Sequence, residues 1–236
     1  MREQFNTLVI IPTYNEAKNT SFIVERIFSL NSNFSVLIVD DNSPDGTAGI
    51  VRRLQQKYSR LYLMRRKCKM GLGSAYREGF KYAIERNYDV IVQMDGDLSH
   101  SPEYILEVVS LLKDYDLVVG SRYVEGGSIK DWSFLRRLLS RLANLFSKYL
   151  LKVPVNDLTS GFKCMKKGVL EGIDFENIKS RGYAFQIEMV YLAYLKGFKI
   201  AEYPIIFRGR RHEKSKMSFG IVVEAFFRVL KLVLSR

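Results

Sequence analysis

The chain has 236 residues, of which 47% are hydrophobic, so it can build one substantial core but is too short for two ordinary domains and a linker. A formal net charge of +12 attracts nucleic acid, anionic lipid or phosphorylated substrates, and charge alone does not choose among them. The composition excludes a disordered or collagen-like chain, no apolar run approaches the roughly 18 residues of a membrane span, and neither Cys68 nor Cys164 has metal-ligand spacing around it.

Short apolar strands alternate with helices through the first half of the chain. Strands are predicted at 7–11, 36–39, 61–64, 89–94 and 117–119, and helices near 19–29, 48–58, 73–86 and 102–115. We expect the first strand to end at Pro12. Continuous apolar strands separated by helices predict an α/β fold with a mainly parallel sheet covered on both faces. Ligands bind at the carboxyl ends of the strands in such sheets, so we expect the functional site there.

The second half contains two predicted basic amphipathic helices, one at 132–152 and one from 218 onwards. The apolar side of the first helix carries Phe134, Leu135, Leu138, Leu139, Leu142, Leu145, Phe146 and Tyr149. We expect most of these apolar residues to pack on the sheet. Basic amphipathic helices also lie in membrane interfaces, and one helix can serve both roles, so contact with a membrane surface is expected as well.

The most specific chemical signal is Asp95-Gly96-Asp97, which follows the strand predicted at 89–94. Residues two apart in an extended chain point the same way, so both carboxylates can converge on one cation. Gly96 between them lets a nucleotide approach the backbone closely. Two hard oxygen ligands suit Mg²⁺ or Mn²⁺. A solvated acidic turn is the alternative, and the position after a buried strand favours the metal site.

Other polar residues follow the first two strands. Asp40 and Asp41 can bond ribose hydroxyls or a base N–H, and an Asx-type turn is the alternative. Tyr14 can stack on a base, while Glu16 suits either a ligand contact or a helix start. Lys69 is a candidate phosphate contact ahead of a weak glycine-rich motif, whose glycines are better explained by close backbone packing.

A basic cluster lies near the end of the chain, between a strand predicted at 203–207 and the second amphipathic helix. It consists of Arg208, Arg210, Arg211, His212, Lys214 and Lys216. A charge run is usually a solvated face, but an anionic head group would arrive at this place. Arginine forks hold phosphate oxygens in pairs, which a lysine does not.

The order of the motifs resembles that of dolichyl-phosphate mannose synthases, which are family-2 glycosyltransferases with the GT-A nucleotide-binding fold. The resemblance covers nearly the whole chain. It rests on PTYNE at 12–16, DDNSPDGT at 40–47, GLGSA at 71–75, DGDLSHSP at 95–102, GSRY at 120–123, DLTSGF at 157–162, GYAFQIE at 182–188 and SKM at 215–217. It implies a single catalytic domain over 1–236, with a nucleotide-binding half at 1–125 and an acceptor-binding half at 126–236.

The resemblance also implies roles for individual residues. Asp97 would coordinate a divalent cation directly, Asp95 would assist, and Ser99, where some relatives have glutamine, would be a weaker or water-mediated ligand. Glu213 replaces a glycine common in relatives, which leaves the loop conformation and the role of Arg211 open. The implied donor-binding set is Pro12, Tyr14, Glu16, Val39, Asp41, Lys69, Met94, Asp95, Gly96, Arg122, Arg210 and Lys216, and the acceptor phosphate set is Arg122, Arg136, Ser140, Arg210 and Lys216. The implied catalytic residues are Asp95, Asp97, Arg122 and Arg210.

The implied activity is transfer of mannose, with inversion, from GDP-mannose to dolichyl or polyprenyl phosphate, which provides dolichyl phosphate mannose for glycosylation. The alternatives are a polyprenyl-phosphate glucosyltransferase that uses UDP-glucose and a non-catalytic membrane-surface binding module. A nucleic-acid-binding function rests on net charge alone, and we expect none. A membrane partner subunit remains an open possibility.

No general base is expected, because a phosphate monoester has a second pKa of about 6 and is largely ionised at pH 7. If a carboxylate were needed after all, Asp157 is the first candidate and Glu188 the second. The chain starts without the apolar core of a signal peptide, and its distant cysteines indicate free thiols. We therefore expect a peripheral protein at the cytoplasmic face of a membrane.

Overall fold

The computed structural model describes residues 5–31, 33–178, 180, 182–209, 229, 230 and 232. Its main feature is a seven-stranded sheet built from β1 (Thr7–Thr13), β2 (Ser35–Asp40), β3 (Leu61–Arg65), β4 (Val90–Gln93), β5 (Leu117–Ser121), β7 (Lys163–Lys166) and β8 (Ile200–Pro204). The strand order is β3-β2-β1-β4-β7-β5-β8. Only β7 is antiparallel to its neighbours in this sheet, so the prediction of a mainly parallel sheet is confirmed.

Two short strands, β6 (Ser128–Lys130) and β9 (Ile206–Arg208), pair in parallel in a separate small sheet. The helices are α1 (Ala17–Leu30), α2 (Thr47–Gln55), α3 (Leu72–Glu85), α4 (Tyr104–Ser110), α5 (Phe134–Leu151), α6 (Lys167–Gly172) and α7 (Gly182–Leu195). The helix predicted near 102–115 is shorter than expected, because a 3₁₀ turn at Leu111–Lys113 follows α4. Among the described residues, none of the helices combines the length and hydrophobicity that crossing a bilayer requires.

Hydrophobic cores cover both faces of the sheet, as predicted. Alternate residues of β1 enter opposite cores: Leu8 and Ile10 face one, while Val9 and Ile11 face the other. This alternation follows from the two-residue period of a strand. The first core contains residues of α3, α6 and α7, and the second contains residues of α1, α2 and α4.

The prediction that β1 ends at Pro12 is wrong, because the strand continues to Thr13. The ladder between β1 and β4 stops at Ile10, so the nitrogen of Pro12 lies beyond the last residue pair on that side. A proline is tolerated where no partner strand needs its missing N–H. The extra two residues bring the end of β1 close to Gly96, whose Cβ, if it had one, would lie 3.2 Å from the carbonyl oxygen of Pro12.

The expectation that α5 packs its apolar side on the sheet is also wrong. Phe134 and Tyr149 are 75% and 81% exposed, and the other exposed apolar residues of this helix are Leu135, Leu138, Leu139, Leu142 and Leu145. The buried face carries Ser140, Asn144, Ser147 and Leu151 instead. Asn144 explains the orientation, because its amide donates to the hydroxyl of Thr159 at 3.0 Å and accepts from the N–H of Thr159 at 3.2 Å.

Most of the second predicted amphipathic helix lies outside the described residues. Val229, Leu230 and Leu232 are helical, and Val229 is buried in the first core. The described end of the chain therefore packs on the body of the protein.

Candidate functional site

A cavity of about 310 Å³ lies at the carboxyl ends of β1, β2, β4 and β5, at the edge of the sheet predicted for a ligand. Many residues that the sequence singled out line it, namely Pro12, Tyr14, Glu16, Asp41, Lys69, Asp95, Gly96, Asp97, Ser99, Arg122 and Arg136. Arg210 and Lys216, predicted for donor and acceptor phosphates, lie outside the described residues.

Three predicted site residues lie outside the cavity lining in the described part of the chain. Val39 and Met94 are buried in the two hydrophobic cores, so any contact they make with a ligand would come from their backbone. Ser140 on α5 is also buried, and its hydroxyl accepts a hydrogen bond of 2.7 Å from the hydroxyl of Tyr123. The side chain of Ser140 therefore fixes α5 against the body of the protein.

The acidic turn after β4 forms one wall of the cavity. The hydroxyl of Tyr76 lies 3.4 Å from Oδ1 of Asp95, and Nδ1 of His100 lies 3.8 Å from Oδ2. Burial, followed by the charge of Asp95, raises the pKa of Tyr76 well above its ordinary value, so the phenol stays a neutral donor. Gly161 comes so close that a Cβ there would meet Oδ2 of Asp95 at 2.7 Å. The carboxylate of Asp95 is thus confined from three sides.

Asp97 is positioned by a tight turn. Oδ1 of Asp97 accepts the N–H of Ser99 at 3.0 Å, and Leu98 between them has a φ of 63°, in the left-handed region. A leucine in this region costs on the order of 1 kcal/mol, and such strain is concentrated at functional sites. The turn places Asp95 and Asp97 on the cavity wall together, as the spacing of the motif predicted.

The two carboxylates after β2 have separate tasks. Asp40 is buried, and its side chain accepts from the hydroxyl of Thr13 at 3.1 Å and the N–H of Ser43 at 3.1 Å, so it holds the turn in place. Asp41 lines the cavity and pairs with Arg66 at 2.7 Å. The other oxygen of Asp41 accepts the N–H groups of Met70 and Gly71, both at 3.1 Å. Asp41 therefore fixes the loop at 66–71 beside the cavity.

That loop also carries Lys69, whose Nζ lies 4.0 Å from the centroid of the Tyr14 ring. Both residues line the cavity. A cation over the face of a phenol ring is attracted by about 0.5–2 kcal/mol. The contact gives the cavity an aromatic face and a positive charge side by side, which suits a base and a phosphate.

Arg122, at the end of β5, is held by a buried ion pair. Its Nε and Nη2 donate to Oδ2 and Oδ1 of Asp157, both at 2.7 Å, and Nη2 also donates to Thr159 at 2.7 Å. Burial alone would lower the pKa of Arg122, but the charge of Asp157 raises it overall. Burial alone would raise the pKa of Asp157, but Arg122 lowers it. Asp157 is therefore an ionised anchor for Arg122.

Several lining residues were missed when roles were assigned from the sequence. They include Trp132, Thr159, Gly161, Gln186 and Phe207. The guanidinium carbon of Arg136 lies 3.8 Å from the Trp132 ring centroid, and that ring packs against Phe207 with centroids 5.3 Å apart. The motifs at 157–162 and 182–188 contain Thr159, Gly161 and Gln186, but neither motif follows a predicted strand, and these three uncharged residues give no hint of a role by themselves.

Lys163 on β7 contacts the lining residue Gln186 and was also assigned no role from the sequence. It is fully buried, and its Nζ donates to Oε1 of Gln186 at 2.6 Å and to the carbonyl oxygen of Ser160. Burial lowers the pKa of Lys163 to about 7. The lysine connects the turn before β7 with helix α7.

The amino-acid sequence is similar to a known protein family and to two curated mannosyltransferases. The model of the family described as Glycosyl transferase family 2 matches residues 8–174. A polyprenol monophosphomannose synthase of Mycolicibacterium smegmatis is 42% identical over 231 residues, which is 97% of this chain and 87% of that protein. An undecaprenyl-phosphate mannosyltransferase of Micrococcus luteus is 38% identical over 224 residues, 95% of this chain and 92% of that protein.

Solved structures share the fold at much lower identity. A mannosyltransferase from Pyrobaculum calidifontis, in complex with GDP-Man and Mn²⁺, superposes with a TM-score of 0.64 at 16% identity over 98% of this chain, which spans 65% of that one. A glucosyl-3-phosphoglycerate synthase from Mycobacterium tuberculosis, with Mn²⁺, UDP and glucosyl-3-phosphoglycerate, gives a TM-score of 0.70 at 16% identity, covering 96% and 79% of the two chains. These likenesses confirm the predicted GT-A fold.

Proposed function

The chain belongs to glycosyl transferase family 2, and we propose that it transfers mannose, with inversion, from GDP-mannose to a polyprenyl phosphate such as dolichyl phosphate. The names of the two curated relatives support both the sugar and the lipid acceptor. The observation that carries the proposal is one cavity in which an acidic turn, Asp95 and Asp97, shares the lining with the guanidinium groups of Arg122 and Arg136.

The acidic turn fits a divalent cation, Mg²⁺ or Mn²⁺. Asp97 and Asp95 supply hard oxygen atoms, and Ser99 lines the same cavity. In the described part of the chain, no group of three or more His, Cys, Asp or Glu side chains is arranged to hold a metal by itself. Two carboxylates with substrate phosphates and water are a common Mg²⁺ environment. Such a cation would neutralise charge on the departing diphosphate.

The arginines would hold the two anionic reactants in position. The ion pair with Asp157 fixes Arg122 rigidly, and the Trp132 ring holds Arg136 by stacking. Correct placement of two reactants and of the charges around them supplies a large part of enzymatic rate enhancement. Asp157 is committed to Arg122 and is fully buried, which supports a mechanism in which the acceptor phosphate attacks without a general base.

The membrane surface is part of the proposal. The exposed apolar side of α5 is flanked by basic residues of the same helix, Arg137, Arg141 and Lys148. An exposed apolar face with a basic rim suits an anionic bilayer, where the lipid acceptor lies. Both cysteines are free, which fits the cytoplasmic side.

Vesicle sedimentation tests the membrane contact. We expect Phe134→Gln to weaken binding to vesicles that contain anionic lipid and to leave the unfolding temperature unchanged. Phe22→Gln is the matched control, because Phe22 is 58% exposed on α1. Equal binding by the two variants would contradict the role of α5. Binding of the pure wild-type chain to lipid alone would show that it needs no membrane partner subunit for this step.

A donor assay tests the reaction. The protein is incubated with polyprenyl phosphate, a divalent cation and either radiolabelled GDP-mannose or radiolabelled UDP-glucose, and labelled lipid is extracted. We expect label in the lipid from GDP-mannose and none when Asp97→Asn replaces the wild type. Transfer from UDP-glucose instead would support the glucosyltransferase alternative, and the absence of transfer from either donor would support a binding module.

A further inference from the structure

A buried amide lies between Lys163 and the cavity. Gln186 on α7 lines the cavity although its side chain is nearly inaccessible to solvent, with 1% of the residue exposed. Oε1 of Gln186 accepts a hydrogen bond of 2.6 Å from Nζ of Lys163. The same amine donates to the carbonyl oxygen of Ser160.

These contacts fix the orientation of the amide. The ammonium form of Lys163 has three N–H groups and no lone pair, so both the carbonyl of Ser160 and the amide of Gln186 must accept from it. The oxygen of the Gln186 amide must therefore face the lysine, and Nε2 must face away from it. Nε2 is buried and has no hydrogen-bond acceptor among the residues that the structure describes. A buried donor without an acceptor has lost its hydrogen bonds to water without replacement, and a ligand in the cavity would supply the missing acceptor.

The surroundings of Gln186 indicate which part of a ligand it meets. The turn that Lys163 holds through Ser160 also contains Gly161, which packs against the carboxylate of Asp95. Arg122 and Arg136 line the same cavity and carry the charge that phosphates require. A neutral amide suits an uncharged oxygen, because a hydroxyl needs a donor but no counter-charge.

We infer that Nε2 of Gln186 donates to a hydroxyl of the sugar of the donor, and that Lys163 is the positioning residue that orients this amide. The inference rests on the proposed function only in requiring a sugar nucleotide as donor. Gln186 would then discriminate between donor sugars, while other residues of the cavity recognise the nucleotide.

The test compares Gln186→Met with the wild type in two binding measurements and one rate. We expect the dissociation constant of GDP-mannose to rise about tenfold, because the variant loses one hydrogen bond to the transferred sugar. The dissociation constant of GDP, which lacks that sugar, should stay within about twofold of the wild-type value. The value of kcat/KM for the donor should fall by at least the same factor. Gln55→Met is the matched control, since the amide of Gln55 donates to the carbonyl of Leu61 at 3.0 Å on a helix outside the cavity lining.

Lys163→Met tests the positioning role. We expect this variant to show a weaker preference for GDP-mannose over GDP, because the side-chain amide of Gln186 is then free to turn. A purely structural lysine would lower the unfolding temperature and leave this preference unchanged, which would overturn that half of the inference.

Deoxy analogues of the donor identify the hydroxyl. For the analogue that lacks the contacted hydroxyl, the wild type and Gln186→Met should have equal kcat/KM, whereas the other analogues should keep the difference. The inference would be overturned if Gln186→Met kept the wild-type preference for GDP-mannose over GDP. It would also be overturned if the variant lost affinity equally for GDP, GDP-mannose and polyprenyl phosphate. If the wild type uses UDP-glucose instead, the proposed donor is wrong, and the same comparison with UDP and UDP-glucose still decides the role of Gln186.

Discussion

Replacing Asp157 with asparagine separates an anchoring role from a catalytic one. Asp157 is fully buried and binds Arg122 through two hydrogen bonds of 2.7 Å. Removal of one partner leaves the other charge buried without compensation, which costs about 3–5 kcal/mol. For a chain of this size each kcal/mol lowers the unfolding temperature by about 2–4 °C, so Asp157→Asn should lower it by roughly 6–20 °C.

Thermal unfolding of a double-mutant cycle measures this coupling. Arg122→Met and Asp157→Leu should each destabilise the protein strongly, and the double variant should recover much of the loss, because two apolar side chains leave no unpaired charge. Glu176→Gln is the control: the pair of Lys81 and Glu176 has the same 2.7 Å separation, but the side chains are 48% and 56% exposed. Its effect should stay below about 1 kcal/mol.

Kinetics complete the test. Because Arg122 loses its fixed position in Asp157→Asn, we expect slower turnover together with weaker binding of donor or acceptor. Additive effects on stability in the cycle would refute the anchoring role. Abolished turnover with both binding constants unchanged would instead make Asp157 the general base.

Three other changes have defined outcomes. Gly161→Ala should displace the carboxylate of Asp95, since a Cβ at this position would lie 2.7 Å from it. We expect turnover in the transfer assay to fall at least about tenfold. Gly168→Ala is the control and should not lower turnover, because a Cβ there would have nothing within 4 Å. Ser99→Ala should raise the dissociation constant of Mn²⁺ by about tenfold in calorimetry, as expected for loss of a weak or water-mediated ligand, because alanine keeps the N–H that holds Asp97. An unchanged constant would remove the Ser99 hydroxyl from the site. Because burial lowers the pKa of Lys163 to about 7, the folded chain binds fewer protons than the unfolded chain above that pH. The free energy of unfolding should therefore rise with pH by roughly 1 kcal/mol per unit between pH 7.5 and 9.5 relative to Lys163→Met, and equal slopes would contradict the shift.

The alternation of apolar strands and helices was sufficient to predict strands β1 to β5 of the sheet and the edge that carries the cavity. The antiparallel strand β7 was not predicted, because Lys163–Lys166 has only two apolar residues, Cys164 and Met165, and a charge at each end. The orientation of α5 was predicted wrongly for a related reason. Hydrophobic periodicity identifies the apolar side of a helix, but the contacts of Asn144 with Thr159 decide which side faces the protein.

The candidate site was predictable where charge followed a strand. Asp95 and Asp97 stand out because the two carboxylates are spaced two residues apart directly after a buried strand. Gln186 and Trp132 carry no charge, and they reach the cavity only through the packing of α7 and of the segment before α5. Contacts between residues distant in sequence decide such positions, and a local pattern does not contain them.

Anomalous diffraction from crystals soaked with GDP and Mn²⁺ tests the central claim most directly. The account predicts an Mn²⁺ peak beside the carboxylate of Asp97, with diphosphate oxygens among its other ligands and the nucleoside near Tyr14 and Asp41. No peak at Asp97 in crystals that contain bound GDP, or a nucleotide bound outside this cavity, would contradict it.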